Sequence, residues 1–292
     1  MPLHTLKEAD LREYCRRAIE ALEFWLRRLI DDELTKAHGP DYITANDEHG
    51  NHVINNELRR SLTSRQAREP ERYPRLIDAA ELEDEIRILC NPNLYKRLFR
   101  EALENAFPLG DEQARATLNR LLGPRNALSH GNPISVRQAE QVICYTGDVT
   151  DSLKRYYGIK NLARQYDVPT VIRYSDWSGT TLHENQLNRG NGGCQLSFND
   201  DSDKYLRVGD TLSMEIEIDP SFDPQEYAVR WVICGSKTPE QTGPQLVLRI
   251  EMEHVNQNFE IHCYVTSNKE WHRFGGWDDF LAVRFKVLPP GR

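Results

Sequence analysis

The chain has 292 residues, 39% of them hydrophobic, and a formal net charge of −8; this length is too great for one small core and indicates two domains. Its six cysteines lie far apart with no C-x-x-C pair, which argues against a disulfide framework and against a cysteine zinc site. No apolar run approaches the ~20 residues that a membrane span needs, and the polar N-terminus is unlike a signal peptide, so we expect a cytoplasmic protein with no membrane partner.

The charge is distributed unevenly between two halves of the chain. Residues 1–165 carry 25 Lys and Arg against 26 Asp and Glu, whereas residues 166–292 carry 12 against 19. An acidic surface repels nucleic acid. The sequence therefore predicts a first domain over residues 1–165 and a second domain over residues 166–292, and the second is expected to bind something other than nucleic acid.

The first domain is predicted to begin with a long helix. Thr5 and Glu8 form a T-x-x-E capping box, which is a typical helix start. Apolar residues then recur at helical spacing until Gly39-Pro40 ends the pattern. Residues 40–75 contain glycine, asparagine, proline and many arginines, and they predict one long irregular loop.

Shorter helices complete the first domain. They are predicted over residues 79–89, 94–107 and 111–122. Gly123-Pro124 interrupts the last of them, and Pro124 suits the first position of a fresh helical turn. Ser135 and Gln138 form a second capping box, S-x-x-Q, which opens the final helix. The predicted architecture is an up-and-down helical bundle.

The second domain is predicted to be a β-sandwich. From about residue 170 the hydrophobic period changes to two, so that Leu212, Met214 and Ile216 share one face of TLSMEIEID. The same alternation recurs in YAVRWVI, QLVLRIEMEHV, FEIHCYV and FLAVRFKVLP. Regularly spaced short strands predict an antiparallel sandwich of immunoglobulin-like type, with Trp231 as its buried core tryptophan.

The stretch GPRNALSHG concentrates polar side chains between two predicted helices. At 100° per residue, Asn126 and His130 share one helix face, whereas Leu128 lies nearly opposite His130. If Leu128 packs in the bundle, His130 points outward. Arg125 shares a face with Ser129 and lies about 140° from His130. One copy therefore makes no compact Arg–His site, but two copies related by a twofold axis can make one.

Paired arginine and histidine side chains suit the cleavage of RNA. Histidine transfers protons near neutral pH, and the arginine fork stabilises charge that grows on a phosphate. The ribose 2′-hydroxyl supplies the nucleophile, so neither a metal nor a cofactor is needed. DNA lacks this hydroxyl and is expected to be inert.

RNALSH resembles the R-N-x-x-x-H signature of the HEPN superfamily, and the resemblance extends over about residues 5–160. PRLIDAAELEDEIRI, NLYKRLFREALENAF, RNALSHGNPIS and DVTDSLKRYY follow one another in the order of the HEPN bundle. Many HEPN proteins are metal-independent endoribonucleases that act as dimers, often in toxin–antitoxin or antiphage systems. The resemblance implies a homodimer through the helical domain, with Arg125 and His130 catalytic and Asn126 as an accessory group.

Two other interpretations of the helical domain stay open. Some HEPN proteins are not catalytic, so the chain is alternatively a dimerisation, adaptor or RNA-binding module with the β-sandwich as its recognition head. RNALSH is also compatible with a plain polar helix end.

A group of arginines in ELRRSLTSRQAREPERYPR is predicted to bind RNA. The basic side chains can follow the RNA backbone, and Ser129 of the motif is assigned to the same task. The interleaved glutamates allow a second interpretation, a solvated loop that pairs with itself. The predicted RNA contacts are Arg59, Arg60, Arg65, Arg68 and Ser129.

Several further groups carry weaker signals. His38, His49 and His52 match no metal-ligand spacing and are interpreted as surface residues, and FNDDSDK is interpreted as a solvated turn rather than a calcium loop. The aromatic residues of EWHRFGGWDD either bind a partner or close the open end of the sandwich. The expected partners are RNA on the helical domain and a protein partner, trigger or inhibitor on the β-sandwich.

Overall fold

The computed structural model describes residues 7–46, 50–187, 189–190 and 192–290. The chain divides into two compact units, Met1–Ala163 and Arg164–Arg292. The first unit is helical and the second is built from mixed β-sheets. Among the described residues, no helix is both long and apolar enough to cross a membrane.

The long first helix, α1, runs over Glu8–His38 and provides the core of the helical unit. Its buried face carries Leu22, Trp25 and Leu29, all without exposed surface, at the spacing that a helix requires. The helix ends where Gly39 adopts φ 84° and donates its N–H to the Thr35 carbonyl. The predicted capping residue, Thr5, lies outside the described residues.

The arginine-rich stretch forms a second helix, α2 (Asn56–Arg68), so the prediction of a loop across it was wrong. The Asn55 side chain caps the helix by accepting a hydrogen bond from the Leu58 N–H at 2.9 Å. Leu58 and Leu62 are the buried residues of this helix. Two leucines in an otherwise polar segment are too few to show a helical period.

The next part of the helical unit consists of short elements. A 3₁₀ turn, Leu76–Ala79, precedes α3 (Leu82–Leu89). A continuous helical run then contains three parts: α4 (Pro92–Leu94), a π-helical turn (Tyr95–Phe99) and α5 (Arg100–Leu103). The sequence predicted one regular α-helix here and not a π turn, since a π turn leaves no mark in the hydrophobic pattern.

Two long helices complete the unit, and the first corrects a prediction. Helix α6 runs over Asp111–Ser129 with Pro124 inside it, so the predicted break at Gly123-Pro124 was wrong. Proline removes one helical hydrogen bond, but the Pro124 ring is buried in the bundle and gains packing there. Helix α7 (Val136–Ile159) begins with the predicted capping box, in which the Gln138 N–H donates to Ser135 Oγ at 3.2 Å.

Packing places α1 against three other helices of the unit. It contacts α3, α6 and α7, while α7 also packs on α5 and α6. A four-residue helix, α8 (Ala163–Tyr166), lies where the two units meet in sequence. Helix α6, which carries the motif at its end, therefore packs against both α1 and α7.

The described residues of the β unit form eleven strands. They are β1 (Val171–Asp176), β2 (Thr181–His183), β3 (Arg189–Gly190), β4 (Gly193–Ser197), β5 (Leu206–Arg207), β6 (Thr211–Ile218), β7 (Tyr227–Ile233), β8 (Gln241–Thr242), β9 (Gln245–Arg249), β10 (Asn256–Ser267) and β11 (Asp279–Leu288). One sheet has the order β2-β1-β6-β9, and the other has β3-β4-β11-β10-β7-β8 with β5 also pairing with β11. The five predicted alternating segments correspond to β6, β7, β9, β10 and β11.

The second sheet is mixed, so the prediction of a purely antiparallel arrangement was wrong. Strand β11 pairs in parallel with β4, with Leu281 opposite Cys194, and in parallel with β5, with Val287 opposite Leu206. Strands β4 and β5 are short and carry no long alternation that the sequence could reveal.

Both sheets contribute to one hydrophobic cluster. Tyr174 and Met214 from the first sheet and Cys263 and Phe285 from the second belong to it. Trp231 has no exposed surface and donates its indole N–H to the Gly243 carbonyl at 2.9 Å. This confirms its prediction as a core tryptophan.

Candidate functional site

The R-N-x-x-x-H motif forms the last turn of α6. Arg125 to Ser129 are helical, and His130 follows as the C-cap with φ −94° and ψ 9°, its N–H donating to the Asn126 carbonyl at 3.2 Å. Leu128 is 8% exposed whereas His130 is exposed. The imidazole therefore lies on the solvent side of the helix end, as the position of Leu128 predicts.

Two carboxylates hold the Arg125 guanidinium. Its Nε lies 3.3 Å from Glu23 Oε1 of α1, and its Nη2 lies 3.7 Å from Glu81 Oε2 at the N-cap of α3. The Arg125 side chain is 25% exposed. Ion pairs on two sides fix the direction of the fork, and a guanidinium carries five N–H donors, more than these two pairs use.

The other motif residues have different surroundings. Asn126 is exposed and its Oδ1 accepts a long hydrogen bond from Arg125 Nη1 at 3.5 Å. The Ser129 hydroxyl donates to the Arg125 carbonyl at 3.0 Å, so the helix backbone occupies its donor. Within one chain the structure thus brings Arg125 and Asn126 together, and within the described residues no side chain is paired with the His130 ring.

A buried carboxylate behind Arg125 went unnoticed in the sequence. Glu85 of α3 has no exposed surface, and Arg27 Nε lies 3.1 Å from its Oε1. Neither Glu85 oxygen accepts a hydrogen bond from any described residue, so the attraction is between charges only. Burial raises the pKa of Glu85 well above its ordinary value, and the charge of Arg27 opposes this rise.

The carboxylates of this cluster have a partial signal in the sequence. Glu23 and Arg27 are four residues apart on α1, the spacing of an intrahelical ion pair, and their side chains lie 3.7 Å apart. Glu81 and Glu85 have the same spacing at the start of α3. That Glu23 and Glu81 both meet Arg125 is a tertiary fact, which no single helix pattern contains.

The arginines of α2 separate into exposed and structural residues. Arg60 and Arg68 are exposed, and Arg68 Nε donates to the Ser64 carbonyl of its own helix at 3.3 Å. Arg59 Nη1 lies 2.7 Å from His52 Nδ1. These three arginines lie along one helix, and the positions of Arg60 and Arg68 leave their charges accessible to a ligand.

Arg65 connects α2 to α3. Its Nη1 donates to the Ala79 carbonyl at 3.0 Å and pairs with Asp84, while its Nε lies 3.8 Å from Glu81. The side chain is 22% exposed. The structure thus places Arg65 in an internal ion-pair cluster next to Arg125, away from the open side of α2.

The histidine and aspartate groups that gave weaker signals in the sequence form no metal site among the described residues. Within the described part of the chain, no group of three or more His, Cys, Asp or Glu side chains is placed to hold a metal ion. His49 and its neighbours Asp47 and Glu48 lie outside the described residues. Asp201 caps a short 3₁₀ turn by accepting from the Asp203 N–H at 3.1 Å.

A buried aspartate, Asp278, forms hydrogen bonds that hold the aromatic segment EWHRFGGWDD of the β unit. Asp278 has no exposed surface and accepts hydrogen bonds from the Ser267 N–H at 2.6 Å and the Arg273 N–H at 3.2 Å. The Trp277 ring lies 5.2 Å from the Tyr264 ring, edge to face. Its indole nitrogen is buried and has no hydrogen-bond partner among the described residues.

The sequence matches no family model and no curated protein. Among solved structures, the extracellular domain of a protein described as a hybrid two-component system from B. thetaiotaomicron is similar over 44% of this chain, at 9% identity and a TM-score of 0.23. This chain covers 16% of that structure's length. A similarity at this level carries no argument about fold or function.

Proposed function

We propose that the chain is a metal-independent endoribonuclease that acts as a homodimer, with a HEPN-like bundle as its helical unit and an immunoglobulin-like sandwich as its β unit. Two copies of Arg125 and His130 surround one scissile phosphate. Asn126 assists by contacting the ribose or orienting the imidazole. We further propose that the protein works as a toxin or antiphage effector, and that the β unit binds the protein partner that controls it.

The observation that supports this proposal best is a guanidinium held by ion pairs, on a side chain that is 25% exposed, at the same helix end as an exposed imidazole. Glu23 and Glu81 hold Arg125 at one end of α6, and His130 has solvent access one turn further on. A preorganised cation needs little reorganisation when charge grows on a phosphate. The free imidazole can take the proton of the 2′-hydroxyl or give one to the leaving 5′-oxygen.

The test is a metal-free RNA cleavage assay with His130→Ala. We expect wild-type protein in EDTA to cut RNA and leave 2′,3′-cyclic phosphate ends, and the variant to lose about 10²–10⁴-fold in rate, the range of general acid–base catalysis. His130 is exposed in the single chain, so the variant should fold as wild type does. If the wild-type protein leaves RNA uncut under every condition in which it is a folded dimer, the proposal is contradicted.

A second candidate is a non-catalytic adaptor with the β unit as recognition head. It is favoured by the two carboxylates beside Arg125, Glu23 and Glu81, which compete with a phosphate for its guanidinium. It is also favoured by the aromatic group at Tyr264, Trp277 and Phe280, whose rings lie within 6.0 Å of one another. An adaptor binds its partner through the β unit and cuts no RNA, so co-purification of a partner with a wild-type dimer that leaves RNA intact separates this candidate from the nuclease.

A further inference from the structure

A cavity in the helical unit lies between the end of α1, the π turn with α5, and the end of α7. Its volume is about 490 Å³, within the range of about 300–1,000 Å³ that is usual for ligand sites. Neither Arg125 nor His130 lines it. The cavity is therefore distinct from the site proposed for cleavage.

Four cationic side chains line this cavity without partners. Lys36 belongs to α1, Lys96 and Arg97 to the π turn, and Arg100 to α5. Their side chains form no ion pair or hydrogen bond with any residue that the structure describes, and all four are exposed. By contrast, Arg65, Arg75 and Arg125 of the same unit pair with carboxylates.

The acids of the cavity neutralise the group only in part. Glu101 pairs with Lys160 at 2.7 Å, and Glu33 accepts the Tyr156 hydroxyl at 2.6 Å. Glu104 remains as an uncommitted acid in the lining. Lys36 lies in the last turn of α1, where the helix C-terminus attracts a cation. Five cations against three carboxylates leave the lining with a net charge of +2.

Lys96, Arg97 and Arg100 follow one another on a single helical run. Like charges at this spacing repel and lower helix stability, and none of the three forms an ion pair within the part of the chain that the structure describes. The π turn contains two of these three residues, Lys96 and Arg97, and π turns are common at functional sites. A bound polyanion accounts for the arrangement because it converts the repulsion into attraction.

We propose that this cavity binds the phosphodiester backbone of a single-stranded nucleic acid without regard to sequence. The lining has no ring for a base to stack on, because Tyr156 is 4% exposed and its hydroxyl is bonded to Glu33. Contacts to phosphates alone read no sequence. The choice of nucleic acid over another polyanion rests on the proposed nuclease function, and the cavity then holds the substrate strand away from the cleavage site.

The test measures binding separately from cleavage. Fluorescence anisotropy follows a single-stranded DNA, which cannot be cut through a 2′-hydroxyl, and an RNA of equal sequence on His130→Ala protein in EDTA. The triple variant Lys96→Ala/Arg97→Ala/Arg100→Ala should lower the slope of log affinity against log salt by about 2, since each phosphate contact on a single strand contributes about 0.7. Both nucleic acids should respond equally.

A matched triple variant controls for the loss of three charges. Arg207, Lys237 and Arg249 are exposed cations of the β unit, and their replacement by alanine should leave the slope unchanged. Equal slopes for the two triple variants, or no binding of either oligonucleotide at low salt, overturn the inference. Wild-type protein that binds with the expected slope but never cuts RNA leaves the inference standing and refutes the nuclease proposal.

Discussion

Glu85 has surroundings unlike those of an ordinary carboxylate. It has no exposed surface, and its oxygens face Arg27 and the carboxylate of Glu23. An ionised group in such a place costs stability unless it is paired and hydrogen-bonded. It lies behind Arg125, so its protonation state alters the field at the guanidinium.

The buried position of Glu85 predicts how stability depends on pH. A folded-state pKa above the unfolded value of 4.5 means that the folded protein binds the extra proton, so stability falls as pH rises from about 4.5 towards the raised pKa. Glu85→Gln removes this titrating group. We therefore expect the free energy of unfolding of the variant to vary less with pH and to be equal to or greater than that of wild type at pH 7. Urea unfolding at a series of pH values measures the difference.

Glu83→Gln is the control for this measurement. Glu83 belongs to the same helix, is 65% exposed and lies 3.7 Å from Arg87. Its replacement should leave the shape of the curve unchanged, because an exposed pair contributes little. A wild-type curve that rises from pH 5 to pH 7 relative to Glu85→Gln contradicts the reasoning.

Arg125 should need its planar fork and not only its charge. Arg125→Lys keeps the cation but loses the geometry that reaches Glu23, Glu81 and a phosphate together. We expect RNA cleavage to fall by about 10²–10³, the cost of one lost donor to a developing oxyanion. Steady-state rates measure this effect, and Arg120→Lys on the same helix, where Arg120 contacts the Tyr145 hydroxyl, should have no effect.

For individual residues, the sequence predicted which side of a helix a side chain lies on better than it predicted which residues that side chain contacts. The spacing of Leu128 and His130 was sufficient to place the imidazole outward, because both belong to one helical turn. The partners of Arg125 come from α1 and α3, which are distant in sequence. Local periodicity contains no information about such contacts.

At the level of elements, the parallel pairing of β4 with β11 depends on Gly193. This glycine has φ +130°, and a Cβ added there would lie 2.7 Å from Phe280 Cβ and still nearer to the Phe280 carbonyl. Both the backbone angle and the close approach therefore exclude a larger residue. The strand pair in turn supports Cys194, which belongs to the hydrophobic cluster.

We expect Gly193→Ala to destabilise the protein by about 1–3 kcal/mol or more, the usual cost of a strained backbone position. Thermal unfolding followed by circular dichroism measures this cost. Gly192→Ala is the matched control, since Gly192 is adjacent, has no left-handed φ and has open space around it. Equal midpoints for the two variants would show that the sheet accommodates the methyl group.

The elements that the sequence missed share a physical cause. Helix α2 and strands β4 and β5 bury few side chains, so their hydrophobic patterns are too short to detect. Pro124 was given too much weight as a helix breaker, because its burial inside α6 depends on neighbours that a local rule ignores. Long elements with a complete buried face, such as α1 and β10, were predictable.

For the whole molecule, the proposed composite site makes activity depend on association. A single chain holds one Arg125 and one His130, with no contact described between them, and two chains are needed to complete the site. We expect light scattering to give the mass of a dimer, and specific RNA-cleaving activity to fall on dilution through the dissociation range. Full activity in a sample that scatters as a monomer would contradict this.

The division between the units was visible in the sequence because two kinds of signal change there together. The hydrophobic period changes from helical to alternating, and the excess of acids appears only after residue 165. The structure divides the chain at Ala163. The topology of the sheets was not visible, since parallel or antiparallel pairing is decided by contacts between distant strands.

Trp25 gives the helical unit an optical reporter of its own. It is the one tryptophan in residues 1–163, it has no exposed surface, and the Arg28 guanidinium lies 4.7 Å from its ring centroid. Replacing it with phenylalanine removes one of five indoles and leaves the four in residues 164–292. The difference between the two fluorescence melting curves isolates the transition of the first half within the intact chain.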